Sequence, residues 1–436
     1  MRDSHSIERI SSLWAFVALE QWFSRGFVES AVDRCFKADL SEAIAQLHMT
    51  DHVVVVGAGY AGAGAVQSFE DEIEDGEAEL TWISEHDYHL ILHETHRVIR
   101  DPQVESKVAI PVDEIKSPET NFIRDRVTDI DTDERTIELR DGESVDYDYL
   151  LVGVGSSTAF FGIDGLGEYS HTMKSLDDAR GIHEAIRTAG EEATQSEPAQ
   201  VIVGGAGLSG IQVAGEIAEY RDLHRAPLDI KLVEGLDEIF PGNSPEVQGA
   251  LKKRLLDRDI EILTGDFISE VDDETVSLGE ESELDYDVLV WTGGIAGREE
   301  IAKTDLDKDE RSNRVFAESD FQTSDERVFV IGDAALVDQG NDDVAPPTAQ
   351  AAWMAAEVAG ENLARAVRGA PLKSWKHKDK GTVISVGEDA VAHDVMGIPV
   401  NTFGGPAAKA LKKGIACRWI SDITSLKRAA KAWSDM

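Results

Sequence analysis

An α/β fold of two tandem three-layer domains is predicted by three features of the sequence. Apolar strand-like runs end in glycine turns, helix-like segments follow those turns, and the whole pattern recurs farther along the chain. A basic C-terminal segment adds a small region of different character.

Residues 1–48 are rich in aromatics (Trp14, Phe16, Trp22, Phe23, Phe27) but interrupted by Glu20, Gln21 and Arg25, so they form neither a secretory signal nor a membrane span. Met49 stands just before a strand that would open a domain. Two readings follow: translation from Met49, or an extra helical arm. From Asp51 a buried run at Val53 to Val56, a glycine turn, a helix through about Asp75 and a strand at Glu79 to Ser84 make a βαβ unit. Tyr149 to Val152 is a further strand ending in Gly-Val-Gly. A second βαβ unit starts at Val201 to Val203, turns on glycines and returns at Asp229 to Val233.

The runs Val288 to Trp291 and Val328 to Ile331 also end in glycine, as strands do where a ligand meets the carboxyl edge of an open sheet, and they return the chain to the first domain. An Ala-rich helix with Pro347 at its first position reaches about Arg368, and Pro371 closes it. The expected divisions are an extension (1–48), a first nucleotide domain in two parts (49–160 and 293–370), a second nucleotide domain (161–292) and a separate C-terminal region (371–436).

Composition narrows the function classes. The chain has 436 residues, with 84 acidic against 42 basic side chains and a net charge of −42. Such a coat is tolerable when salt screens its self-repulsion, since the Debye length falls to roughly 3 Å near 1 M. A halophilic source is therefore expected. Nucleic acid is not an expected partner, because phosphate binding needs a basic stripe. Only Cys35 and Cys417 occur, which leaves no disulfide framework, no Cys-x-x-Cys and no cysteine spacing for a metal. A reduced, cytosolic body is expected.

Val-Val-Val-Val-Gly57-Ala-Gly59-Tyr-Ala-Gly62 is a dinucleotide fingerprint in its required context, after a strand and opening a helix. Gly57 permits the tight turn, Gly59 lets the backbone approach a pyrophosphate and Gly62 lets helix and strand pack closely. Glu85, after the second strand, is placed to accept hydrogen bonds from ribose hydroxyls. Gly205, Gly207 and Gly210 repeat the device, and Glu234 ends the corresponding strand. A carboxylate there accepts a free 2′-hydroxyl and repels a 2′-phosphate, which favours NADH over NADPH. Both domains are thus expected to be Rossmann-like.

Beyond the fingerprints, the runs Tyr149-Leu-Leu-Val-Gly-Val-Gly155, Val290-Trp-Thr-Gly293-Gly294 and Val328-Phe-Val-Ile-Gly332-Asp333 resemble the pyridine-nucleotide flavoproteins. Within them, Ala214-Gly215-Glu216-Ile-Ala-Glu219 and Pro347-Thr348-Ala349-Gln350 look like type II NADH dehydrogenases, over about residues 50–436. The resemblance implies FAD on the first domain, at Gly57, Gly59, Gly62, Glu85, Gly155, Gly332, Asp333, Thr348 and Ala349. It implies NADH as substrate on the second, at Gly205, Gly207, Gly210, Glu234, Gly293 and Gly294. Glu216 and Gln350 become the candidate catalytic neighbourhood. Read alone, Asp333 also fits a turn cap, Pro347 a core helix start and Glu216 a solvated surface acid.

One departure stands out: the resembled enzymes carry Ala-Gln-x-Ala-x-Gln, whereas this chain places Met354 where the second Gln belongs. That leaves the acceptor open. His86, His89, His93 and His96 also offer a metal-like spacing, but the resemblance takes this stretch past the flavin, and no metal is expected.

Residues 407–436 reverse the charge of the body with Lys409, Lys412, Lys413, Arg418, Lys427, Arg428 and Lys431 against Asp422 and Asp435. Leu411, Ile415, Trp419, Ile423, Leu426, Ala430 and Trp433 fall on one helical stripe, which Gly414 would divide. A basic amphipathic helix of this kind suits an anionic membrane surface, and docking on the protein's own core or on a second subunit is the alternative. The leading expectation is electron transfer from NADH through FAD to a membrane quinone, menaquinone above all, on the cytoplasmic side of the cell membrane and without proton pumping. A homodimer is compatible with it. The rivals are a reductase of a soluble iron-sulfur protein and a slow-turnover nucleotide sensor.

Overall fold

The computed structural model describes residues 50–279 and 282–433. Both readings of residues 1–48 fall outside this range.

Strand β1 (Asp51–Val56) enters helix α1 (Tyr60–Glu72), followed by β2 (Ala78–Ser84), β3 (Asn121–Arg124) and β4 (Tyr149–Val152). Helix α2 (Leu176–Glu192) leads to β5 (Ala199–Gly204), α3 (Leu208–His224), β6 (Leu228–Glu234), α4 (Pro245–Leu256), β7 (Ile260–Thr264) and β8 (Val288–Trp291). The chain then returns through β9 (Val328–Val330) and α5 (Ala349–Val367). It ends in β10 (Thr382–Val386), β11 (Asp389–His393), β12 (Thr402–Gly404), α6 (Pro406–Ile423) and α7 (Leu426–Ala432).

The first sheet is parallel in the order β9-β4-β1-β2-β3, and the second is parallel in the order β7-β6-β5-β8. The α/β reading of the sequence therefore holds. In each sheet the chain leaves the first strand of its βαβ unit at a point where strand order reverses, and the crevice that binds ligands in open sheets opens there. Three layers are visible in the second domain. Ile202 of β5 faces a cluster with Ile268, Val276 and Leu278 of an antiparallel sheet, while Val201 and Val203 face the helices, as the period of two along a strand requires.

The Ala-rich character of α5 has a packing cause. A Cβ on Gly360 would lie 2.4 Å from the carbonyl oxygen of Ala65, and one on Gly64 would lie 2.8 Å from Cβ of Ala356. The helices α1 and α5 touch backbone to backbone, which only small side chains allow. Helix α5 begins at Ala349 with Thr348 as its cap, whose Oγ1 accepts from the Ala351 N–H at 3.1 Å. Pro347 thus precedes the cap and does not occupy the first helical position.

The C-terminal region differs from expectation. Strands β10, β11 and β12 form an antiparallel sheet that packs on α3, where a Cβ on Gly215 would fall 2.5 Å from the Gly387 nitrogen. Residues 371–433 therefore pack on the nucleotide domains and do not stand apart from them. Helix α6 runs unbroken through Gly414, and the break comes at Thr424, after which Ser425 caps α7 by accepting from the Arg428 N–H at 3.2 Å.

The single stripe is divided in the same way. Trp419 is 2% exposed and Ile423 is buried, because α6 lays this face on α1, whereas Leu426 is 79% and Trp433 46% exposed. Among the described residues no helix is long and apolar enough to cross a membrane.

Candidate functional site

A cavity of about 1210 Å³ runs along the carboxyl edge of the first sheet to the start of α3 in the second domain. At its head, Gly57 adopts φ +105°, and a Cβ there would meet the Gly153 carbonyl oxygen at 2.5 Å. A Cβ on Gly62 would sit 1.8 Å from the Gly57 carbonyl oxygen. The turn is therefore a cradle that only glycine permits, and α1 starts at Gly59 with no side chain capping it. Its first N–H groups are left for an anion.

Gly57, Gly59, Glu85, Gly155, Gly332, Asp333, Thr348 and Ala349 all lie in the cavity wall, while Gly62 lies behind it where α1 meets β1. Asp333 accepts from the Ser156 hydroxyl at 3.2 Å. The cradle, the uncapped helix start and the carboxylates at strand tips fit a dinucleotide such as FAD.

The second turn has the same build. Gly205 has φ +88°, and a Cβ on Gly210 would sit 1.8 Å from the Gly205 carbonyl oxygen. Gly207 opens α3 without a side-chain cap. The Glu234 carboxylate accepts from the Ala206 N–H at 2.8 Å and from the Leu236 N–H at 3.1 Å, which fixes it at the tip of β6. Gly205, Gly207, Gly210, Glu234 and Gly293 lie outside the cavity wall, but Leu208, Ser209 and Gly294 are in it, so the second turn meets the cavity at its edge.

Gln350 lines the cavity with both ends of its amide engaged: its oxygen accepts from the Lys380 N–H at 2.7 Å, and its Nε2 donates to the Gly381 carbonyl at 3.2 Å. It shapes the wall and ties α5 to the segment entering β10. Met354 lines the wall as well, with Trp353, whose ring lies 4.8 Å from Trp419.

Glu216 is fully buried and absent from the wall. Its Oε2 lies 3.1 Å from Arg100 Nε, and its Oε1 lies 3.9 Å from both Arg97 Nη1 and His96 Nε2. Burial raises its carboxyl pKa, against the pull of Arg100, Arg97 and Lys412. The surface-acid reading of Glu216 is therefore incorrect: the close approach of β10 and β11 to Gly215 seals it inside.

Lys412, counted in the basic tail, belongs to the same interior. It is 3% exposed, donates to Ser385 Oγ at 2.9 Å and to Gln212 Oε1, and lies 3.7 Å from Glu94 Oε1. Burial pushes its pKa down to about 8. Burial raises the Glu94 carboxyl, but Lys412, Arg97 and His93 together outweigh it and hold the pKa at about 2. This charged interior reaches the cavity through His93, His96 and Lys412. Sequence reading missed it because its members come from four separate segments.

The four histidines diverge. His89 bonds Ala58 and Trp419, His93 bonds the Tyr60 hydroxyl at 2.5 Å, His96 bonds Ser385 at 2.9 Å and His86 stacks on Tyr88. Among the described residues no three side chains are grouped to hold a metal.

Comparison with known proteins agrees with this geometry. The chain is 27% identical over 403 residues to the type II NADH:quinone oxidoreductase of Staphylococcus aureus, covering 87% of this chain and 97% of that one. Its fold is similar to NDH2 from Plasmodium falciparum in complex with NADH (TM-score 0.74, 18% identity, 88% and 98% of the two chains). It is also similar to the sulfide:quinone oxidoreductase of Aquifex aeolicus (TM-score 0.71, 18% identity, 86% and 91%). The model of the pyridine nucleotide-disulphide oxidoreductases matches residues 51–356, and the chain belongs to that family.

Proposed function

We propose that the protein is a type II NADH:quinone oxidoreductase: it binds FAD on the first domain, oxidises NADH on the second and reduces a membrane quinone. The observation that carries this reading is the single cavity that joins the uncapped start of α1 to the start of α3. Bound there, FAD would take hydride from NADH and hand the electrons to quinone.

The chain's own residues bind and orient. The Gly57 and Gly205 turns present helix N-termini to the two diphosphates. Glu234 selects a free 2′-hydroxyl, and positioning of the two ring systems supplies most of the catalysis. Gln350 acts by holding Lys380 and Gly381, and Glu216 by balancing Arg97, Arg100 and Lys412 behind the wall; both are positioning residues. Cys417 is buried, with its Sγ directed to the Ala429 carbonyl at 3.4 Å, and it offers no thiol relay. The exposed Leu426 and Trp433, with the nearby lysines, would set the protein on the cytoplasmic face of an anionic membrane.

The reading is tested by anaerobic mixing of the purified yellow protein with NADH in high salt, followed by a menaquinone analogue. Bleaching by NADH and recovery of colour with the quinone are expected. No bleaching overturns the oxidoreductase reading; bleaching without recovery overturns quinone as acceptor and points to a soluble protein acceptor.

A further inference from the structure

Lys174 and Arg298 project into the first-domain end of the cavity with no role in the contacts described above. Lys174 precedes α2, and its backbone is rigidly held. Its own N–H and that of Ser175 both donate to Asp178 Oδ2, at 2.7 and 2.9 Å, within the capping box of the helix. Asp178 is thereby occupied with backbone.

The Lys174 ammonium donates to Ser156 Oγ at 3.0 Å, and Ser156 in turn donates to Asp333 Oδ2 at 3.2 Å. No carboxylate lies within ion-pair distance of Lys174 among the described residues, and burial lowers its pKa. Arg298 Nε is buried without a hydrogen-bond partner, and its closest carboxylate approach is 4.0 Å, from Nη1 to Glu300. The neighbouring Arg314 is committed to the backbone carbonyls of Asp333 and Ala335.

A partly buried cation that lacks an ion pair is costly, by several kcal/mol where desolvation is complete. Among the described residues Lys174 has no ion pair and Arg298 only a long one to Glu300, with its Nε unpartnered, so the two face the cavity with capacity for an anion. This corner of the cavity also holds the Asp333 and Glu300 carboxylates.

The position of the corner identifies the anion. A Cβ on Gly332 would lie 3.2 Å from Cβ of Ala61, so the Gly332–Asp333 turn covers the first turn of α1. Asp333, Ser156 and Lys174 therefore form a hydrogen-bonded row beside the uncapped N-terminus of α1.

We propose that Lys174 and Arg298 bind the diphosphate of FAD from the side opposite the α1 N-terminus. This rests on the reading of the first domain as the FAD site. The two cations offset the repulsion that the Asp333 carboxylate would exert on a dianion, and Arg298 presents a fork matched to phosphate oxygens. Lys174→Met and Arg298→Gln, each stripped of flavin with bromide, are titrated back with FAD and with riboflavin, which lacks the diphosphate, by flavin fluorescence.

The expected result is that each variant weakens FAD binding by about tenfold or more, the loss of one charge-assisted hydrogen bond, while riboflavin binds variants and wild type alike. Lys174→Arg is expected to restore FAD binding. Equal weakening of both flavins, or unchanged FAD binding with a raised KM for NADH, overturns the assignment. A wild-type protein that takes up no FAD overturns the underlying reading of the site as well.

Discussion

The indole N–H of Trp419 donates to Nε2 of His89 over 2.8 Å, joining helix α6 to the segment after β2. The other ring nitrogen of His89, Nδ1, donates to the Ala58 carbonyl at 2.8 Å, which fixes a neutral imidazole beside the first glycine turn. Protonation would set a new N–H against the Trp419 donor. Burial accordingly depresses the His89 pKa to about 4.

The sign of the pH effect follows. The unfolded chain binds this proton near pH 6.5 and the folded chain only near pH 4, so the unfolded state holds more protons between them. Stability is full above the upper value and falls as pH drops through the window. In high salt, the urea midpoint of the wild type is expected to decline from pH 6.5 to 4.5, and His89→Gln is expected to decline less, with His93 and His96 supplying the remainder. Equal slopes in the two proteins would remove His89 from the account.

What the sequence made legible was local. Gly57 and Gly205 stand out because a positive φ between a strand and a helix demands glycine, and neighbours in sequence are enough to say so. Glu216 is different. It looks like one of many acids until Gly215 lets Gly387 approach, a contact between segments far apart in the chain. Trp419 fell into a helical stripe that the structure divides between core and surface, and Lys412 beside it is buried, because helical spacing cannot tell a membrane from the protein's own core.

The α1–α5 contact gives a stability test independent of any ligand. A Cβ on Gly360 would meet the Ala65 oxygen at 2.4 Å and the Phe69 nitrogen at 2.7 Å, both backbone atoms that cannot swing aside. Gly360→Ala is expected to lower stability by about 1–3 kcal/mol despite the better helix propensity of alanine. Thermal melts in high salt read the effect, and a melting temperature at or above that of the wild type would mean that the helices can separate freely.

Donor choice is expected to turn on Glu234. Its carboxylate is already held by the Ala206 and Leu236 N–H groups, so its charge is fixed in place for a ribose. Glu234→Gln keeps one acceptor and removes the charge. The NADH concentration for half-maximal flavin bleaching is expected to rise about tenfold, from the loss of a charge-assisted hydrogen bond, while that for NADPH falls. If both cofactors weaken by the same factor, Glu234 holds the loop and does not choose the donor.

Membrane attachment is expected to depend on α7 rather than on the whole C-terminal stripe. Trp419 faces Tyr60 and His89 inside the fold, so lipid cannot reach it, while Leu426 and Trp433 stand exposed beside Lys427 and Lys431. In high salt the lysines' attraction to anionic headgroups is screened, and burial of apolar side chains carries the binding. Leu426→Glu with Trp433→Glu is therefore expected to reduce cosedimentation with phosphatidylglycerol vesicles about tenfold or more, since two large apolar contacts worth roughly 1.5–3 kcal/mol each are replaced by charge. NADH bleaching of the flavin should be unchanged, because neither side chain lines the cavity. A double variant that sediments with vesicles as well as the wild type does would place the membrane contact elsewhere than α7.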